Sequence, residues 1–284
     1  MPEVFGFECY SPKETGERVE NIGVSKANLP LLSMSALGVL AGGGIGLGGM
    51  FFTLVVSDAS LSFAAARVLG GVAFSLGLIL VVVAGVELFT GNNLLLMAWV
   101  SGRVSTARLA ENLIVVYLAN LVGAAGLAVL VALSNHWKLG DSAIANAAVN
   151  LAAAKCSLSF SEAFFKGVLC NVLVCLAVWL AMAGRNVSDK ILAVVFPIAA
   201  FVAAGFEHCV ANMYFIPLGI FLREHVTPSG VLSLDSLDWL GFGRNLIPVT
   251  LGHLVGGAGM VGFVYWVIHR RGSKAQPSPG EAPK

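Results

Sequence analysis

Glu207, His208 and Asn212 sit in the stretch Ala204-Gly-Phe-Glu-His-Cys-Val-Ala-Asn-Met213, with long apolar runs on both sides. Ionisable groups inside a membrane-length apolar segment are costly, so they point to a solute path, a proton relay or a buried ion pair. An imidazole ordinarily titrates near ~6.5, so His208 suits both hydrogen bonding to a small solute and carrying a proton. The skeleton A-G-x-E-x-x-x-x-N recurs at Ala84-Gly-Val-Glu-Leu-Phe-Thr-Gly-Asn92, which places Glu87 opposite Glu207 and Leu88 opposite His208. Backbone can leave a helix at membrane depth only where it is buried in protein or lines a water-filled cavity. The two stretches therefore read as matched breaks in two membrane helices, with a pore between them. Gly85, Gly91 and Gly205 supply backbone freedom. Thr90, Asn92, Asn93 and Asn212 are placed to satisfy freed amides. Each break exposes the N-terminus of a half-helix, whose unpaired N–H groups favour an anion.

The elements that position these residues are membrane spans. The 284-residue chain is 57% hydrophobic and 12% charged, with mean hydropathy +0.85. A soluble domain carries about 25% charged residues. Net charge is +1, which gives no nucleic-acid signal. The five cysteines show no metal-type spacing and read as small apolar filler. No cofactor is expected, and the polar first 28 residues lack the apolar core of a cleaved signal.

Six spans of roughly 20 apolar residues or more are expected. They cover about 29–56, 68–100, 109–133, 160–183, 191–222 and 246–269. The second and fifth are too long for one crossing and contain the two polar stretches, the pattern of discontinuous helices. Ala119-Asn-Leu-Val-Gly-Ala-Ala-Gly126 in span three matches Gly252-His-Leu-Val-Gly-Gly-Ala-Gly259 in span six. Lys26 lies twelve residues before Gly38, as Lys155 does before Gly167. Three matches in one order imply two three-span halves, about 29–134 and 158–270. An odd number of spans per half makes the repeat inverted. Eleven of the 17 lysines and arginines fall on the side of the N-terminus, so both termini are expected in the cytoplasm. Residues 1–28 form a cytoplasmic segment, and 271–284 a disordered cytoplasmic tail rich in Pro, Ser and Gly.

An unpaired charge at depth costs several kcal/mol. Glu87 is therefore expected to pair with Lys26, and Glu207 with Lys155, each within its own half. The lysines either draw anions into vestibules, or only tie the breaks to their neighbours, or both. Phe74, Phe89 and Phe201 are either apolar gates or ordinary core and lipid-facing rings, and position alone does not choose. Asn120 and Asn171 are buried polar groups expected to bond between helices.

The stretches Gly85-Val-Glu-Leu-Phe-Thr-Gly-Asn-Asn-Leu94, Cys170-Asn-Val-Leu-Val-Cys-Leu-Ala-Val-Trp179, Ala204–Met213, Ile216-Pro-Leu-Gly-Ile220 and Asn245-Leu-Ile-Pro-Val-Thr-Leu-Gly252 fall in order across the spans. On these residues the chain resembles the formate/nitrite transporter family, most closely its bacterial formate channels. The resemblance implies an aquaporin-like six-span fold and a homopentamer in the bacterial inner membrane, each subunit with its own pore. It implies a central histidine at His208, a mobile loop at Leu88, Phe89 and Thr90, and a pore-proximal Asn171. It also implies apolar constrictions at Phe74, Leu78 and Phe201, and vestibule pairs Lys26–Glu87 and Lys155–Glu207.

One position departs from the family pattern. The family reads T-L-G-N or T-I-G-N where this chain has Thr250-Leu-Gly-His253, so His253 joins the expected substrate pathway with His208, Thr90 and Asn171. The expected function is passive or proton-coupled movement of a small monovalent anion, formate, with nitrite and hydrosulfide as alternatives. A water or glycerol channel would carry N-P-A at both junctions, where this chain reads Thr-Gly-Asn-Asn and Val-Ala-Asn-Met. An intramembrane enzyme using Glu207 and His208 would need a nucleophile or metal motif that the sequence does not show.

Overall fold

The structure, a computed structural model, describes residues 9–226 and 233–271. The expected disordered tail lies, from 272 onward, outside the described residues.

Among the described residues, six helices are long and apolar enough to cross a membrane. With labels in chain order they are α2 (Leu31–Val56), α3 (Phe63–Ala84), α6 (Thr106–Leu133), α8 (Phe160–Ala183), α9 (Val187–Ala203) and the run Trp239–His269. That last run comprises α11 (Trp239–His253), a π-helical segment (Leu254–Phe263) and α12 (Val264–His269). After α3 come a four-residue turn of helix α4 (Phe89–Asn92) and the short α5 (Leu96–Val100). After α9 comes α10 (Cys209–Leu222). Spans two and five are therefore discontinuous, as the sequence predicts. Large apolar side chains such as Leu32 (82% exposed) and Phe63 (84%) face outward, which suits a hydrocarbon surround.

Two helices lie outside the six expected spans: α1 (Pro12–Ala27) and α7 (Ala143–Cys156). Each carries a lysine in its last turn, Lys26 and Lys155. The sequence signal for α1 is a capping box in Ser11-Pro-Lys-Glu14. Hydrogen bonds from the Ser11 backbone N–H and hydroxyl hold the Glu14 carboxyl below its usual range. Buried Glu20 then clamps α1 to the bundle, pairing with Arg103 (3.0 Å) and Arg270 (2.7 Å).

Glycine sets how closely the spans cross. A Cβ on Gly42 of α2 would overlap the carbonyl oxygen of Asn120, and one on Gly123 of α6 would overlap that of Val39. The second half repeats the crossing, with Gly256 closing on the carbonyl of Val168 in α8. Backbone-to-backbone contact of this kind is the membrane helix solution where lipid is as apolar as leucine.

Both breaks have one geometry. Helix α3 ends at Gly85 (φ 70°), and α9 is followed by Gly205 (φ 74°); both are left-handed, the conformation that ends a helix most cheaply with glycine. The Val86 N–H returns to the Val81 carbonyl (3.1 Å), as Phe206 does to Phe201 (3.0 Å). The chain then runs extended into the next helix, with Leu88 at φ −113°, ψ 125° and His208 at φ −115°, ψ 113°.

Candidate functional site

Each break is held by a four-residue polar network, and the two networks match residue for residue. In the first, Lys26 Nζ lies 2.9 Å from Glu87 Oε1 and donates to Asn92 Oδ1 (2.9 Å). Asn92 Nδ2 donates to Glu87 Oε2 (2.7 Å) and Asn112 Oδ1 (2.9 Å), and Asn112 Nδ2 donates to the Lys26 carbonyl (3.2 Å). In the second, Lys155 Nζ donates to Glu207 Oε1 (3.0 Å). Asn212 Nδ2 donates to Glu207 Oε2 and to Asn245 Oδ1 (both 2.7 Å), and Asn245 Nδ2 donates to the Lys155 carbonyl (2.9 Å). The expected Lys–Glu pairs are present. Asn92 and Asn212 hold carboxylates and partner asparagines, whereas the sequence suggested that they satisfy freed amides.

The halves differ in detail: in the second, Asn245 Nδ2 also donates to Glu207 Oε2 (3.3 Å). Lys26 bonds Asn92 Oδ1, whereas Asn212 Oδ1 is buried without a partner, and Lys155 sits over the Phe215 ring at 5.4 Å. Removing one member of a buried pair leaves an uncompensated charge and costs ~3–5 kcal/mol. Lys155 keeps 14% exposure, which places Glu207→Leu toward the low end of that range. Glu207→Gln keeps an acceptor for Asn212 and Asn245. Thermal unfolding of the detergent-solubilised protein should rank wild type above Glu207→Gln and that above Glu207→Leu; equal midpoints for wild type and Glu207→Leu would refute the pairing argument.

The freed amides at the start of α4 and α10 are met from the third span of each half. The Phe89 N–H donates to Asn120 Oδ1 (2.9 Å), and Asn120 Nδ2 donates to the carbonyls of Gly38 (2.8 Å) and Glu87 (2.9 Å). The Cys209 N–H donates to His253 Nε2 (3.4 Å). His208 is itself an N-cap, its Nδ1 accepting from the Ala211 N–H (3.1 Å). An Nδ1 that accepts puts the proton of the neutral ring on Nε2, as the hydrogen-bond network assigns it. Nε2 lies 3.3 Å from Thr90 Oγ1, so the two breaks touch through this pair. Every one of these side chains is buried, His208 at 3% exposure.

A cavity of about 360 Å³ lies against the first break, lined by Lys26, Glu87, Asn92, Leu78 and Leu88 among others. A second, of about 210 Å³, lies against the second break and is lined by Arg67, Lys155, Glu207, His208, Phe74 and Phe201. Phe201 stacks on His208 (5.9 Å, 19°) and meets Phe74 edge-on (5.8 Å). Apolar side chains thus stand beside the histidine in one cavity, and Leu78 and Leu88 are part of the lining of the other. Phe89 packs against Tyr117 of α6 (4.9 Å) and lines neither cavity. Thr90, Asn171 and His253 line neither cavity as well. Asn171 Nδ2 donates to the His253 carbonyl (2.9 Å), just where the sixth span turns π-helical.

Three contributors went unrecognised as site residues in the sequence. Asn112 and Asn245 occupy matching places in the repeat that pairs Ala119 with Gly252, so extending that register by two turns would have found them. Arg67 donates to the carbonyls of Val202 (2.6 Å) and Ala203 (3.1 Å), capping α9 at the second break. Nothing in its sequence position signals this.

Known proteins resemble this chain over most of its length. A family model described as "Formate/nitrite transporter" matches residues 13–267. The chain is 38% identical to the protein named "Formate channel FocA" of Escherichia coli (strain K12), over 93% of this chain and 96% of that one. It is 41% identical to "Formate channel FocA" of Haemophilus influenzae, over 89% and 92%. A solved structure described as "Pentameric formate channel with formate bound" superposes with TM-score 0.78 at 37% identity, over 84% of this chain and 97% of that chain. The chain belongs to the formate/nitrite transporter family.

Proposed function

We propose that this chain is a multi-pass channel for small monovalent anions, with formate as its principal solute. The observation that carries the reading is the buried Thr90–His208 pair joining the two breaks, with a cavity bearing a Lys–Glu pair against each break. An anion leaving water needs donors in return, because an unpaired charge in an apolar passage is costly. Lys26 and Lys155 offer charge at the cavities, and the Thr90 hydroxyl and His208 Nε2–H offer donors between them. The Cys209 and Ala211 amides are taken by the two histidines, so an anion would meet imidazole and hydroxyl rather than those bare N–H groups. Phe74 and Phe201 on one side, with Leu78 and Leu88 on the other, act as the apolar gates in this proposal.

The protein itself performs no covalent chemistry on its solute. Residues 29–270 form the channel domain, two halves of opposite orientation, and residues 1–28 and 271–284 flank it in the cytoplasm of a bacterial inner membrane. The named relatives support a homopentamer, and the outward apolar side chains give such an assembly its contact surface. Proton coupling is the finer part of the proposal: a proton given to the anion at the His208–Thr90 pair, directly or through water, would let it pass as the neutral acid.

Stopped-flow flux of formate, nitrite, hydrosulfide and lactate into one liposome preparation tests the reading. Formate should be the fastest anion at neutral pH. Nitrite or hydrosulfide faster by tenfold would reassign the solute within the family, and no anion flux above protein-free liposomes would overturn the channel assignment.

A further inference from the structure

The internal repeat sets Asn120 and His253 at the same place. Each is the second residue of its matched stretch, Ala119–Gly126 or Gly252–Gly259. Each receives the first backbone N–H of its half-helix, from Phe89 or from Cys209. The two caps are chemically unlike. An amide oxygen accepts at any physiological pH, whereas an imidazole nitrogen stops accepting once it is protonated. The imidazole cap is also the longer bond, 3.4 Å against 2.9 Å. Asn120 makes two further bonds through its Nδ2, whereas His253 Nδ1 lies beside Gly167 of α8, next to the Val249 carbonyl. At this capping place His253 gives the second break one bond to a freed amide, where Asn120 gives the first break three bonds.

We propose that His253 is a proton-sensitive positioning residue. Neutral, it holds the start of α10 and so keeps the His208 ring in register with Thr90; protonated, it releases that register. The inference rests on the channel reading above, since it concerns the same histidine. The link between the two rings is direct. They meet edge-on with centroids 5.5 Å apart, and His208 caps the same half-helix two residues further on, at Ala211. When His253 accepts from Cys209 through Nε2, its own proton is on Nδ1. A second proton must enter at Nε2, which then points a donor at the Cys209 donor, and the bond is lost. The added charge also faces His208 across the same gap.

Apart from His208, whose Nδ1 accepts from the Ala211 N–H in the same way, no described neighbour offers a second imidazole cap. From α10 the neighbours are His208 and Cys209, and Glu207 of the break is already paired with Lys155 of α7. Cys170 of α8 and Tyr117 of α6 lie near Cys209, and a thiol (~8.5) or phenol (~10) stays uncharged below pH 7.

The experiment combines anion flux with ring-nitrogen NMR. Wild-type, His253→Asn and His253→Leu proteins are placed in liposomes, with assembly checked by size exclusion. Formate flux is measured from pH 7 to pH 5. His253→Asn restores the amide of the first half, so its flux at pH 7 should stay within threefold of wild type. Its fall toward pH 5 should be at least fivefold smaller than that of wild type. His253→Leu should lose at least tenfold at pH 7 while still assembling. The 15N signals of His253, assigned by difference from His253→Asn, should show an Nδ1–H neutral ring at pH 7 that takes a second proton within the range where flux falls. Identical acid profiles for wild type and His253→Asn, wild-type flux in His253→Leu, or an Nε2–H ring at pH 7 would each overturn the proposal. Absence of formate flux in wild type would count against formate as the solute alone, because the ring signals decide the state of His253 without any solute.

Discussion

His208→Phe is expected to lower formate flux about 10- to 100-fold while leaving the protein assembled. The phenyl ring keeps the stacking surface for Phe201, which lies 5.9 Å from the His208 ring and nearly parallel to it, so packing survives. Two polar functions go. The Ala211 N–H loses its cap, and Thr90 loses its partner at the junction of the breaks. A hydrogen bond to a charged group contributes ~1.5–3 kcal/mol. At ~1.4 kcal/mol per factor of ten in rate, losing one such bond to the passing anion yields the range stated. His208→Asn separates the two functions, since asparagine is a good N-cap and brings its own N–H donors. It should recover part of the flux. Liposome flux of the three proteins at one pH checks the expectation; undiminished flux in His208→Phe would remove His208 from the pathway, and with it the proton-coupled form of the mechanism.

Gly42→Ala is expected to be, with Gly123→Ala, among the costliest single methyls added to the first half, and Gly43→Ala next to it is expected to cost nothing. A Cβ on Gly42 would overlap the Asn120 carbonyl, with the Asn120 carbonyl carbon at 2.8 Å and the Ala124 nitrogen at 2.9 Å. Both neighbours are helix backbone and cannot rotate away. Overpacking of this kind costs ~1–3 kcal/mol and occasionally more. The same methyl on Gly43 meets nothing nearer than the Gly123 oxygen at 3.9 Å. Alanine there gains the ~1 kcal/mol by which it exceeds glycine in a helix. The effect reaches the site, because parting α2 from α6 withdraws Asn120 from Gly38, Glu87 and Phe89 at once. Thermal unfolding of the solubilised oligomer and formate flux should both fall in Gly42→Ala and hold in Gly43→Ala. Equal midpoints for the two variants would refute the close-crossing argument.

The sequence by itself determined the elements that repeat or that cost energy to misplace. Six apolar runs have only the bilayer core to fill, and each of the six holds a span in the structure. The two A-G-x-E stretches announced both breaks, since glycine at 85 and 205 is what a left-handed helix end requires. The Lys–Glu pairs followed from the price of an unpaired charge at depth, and the structure places both at ion-pair distance. Helices α1 and α7 were not legible as spans are, because they need no membrane-length apolar run. The tertiary structure alone decided which third-span side chain serves which amide. Asn112, Asn120, Asn245 and His253 act across 20 to 44 residues of chain, and local pattern carries no information about such partners. It also set Phe89 against Tyr117 of α6, a contact that position in the sequence did not choose. The family resemblance put two histidines on one expected pathway; only the packing of α11 against the start of α10 made His253 a cap of the helix that follows His208.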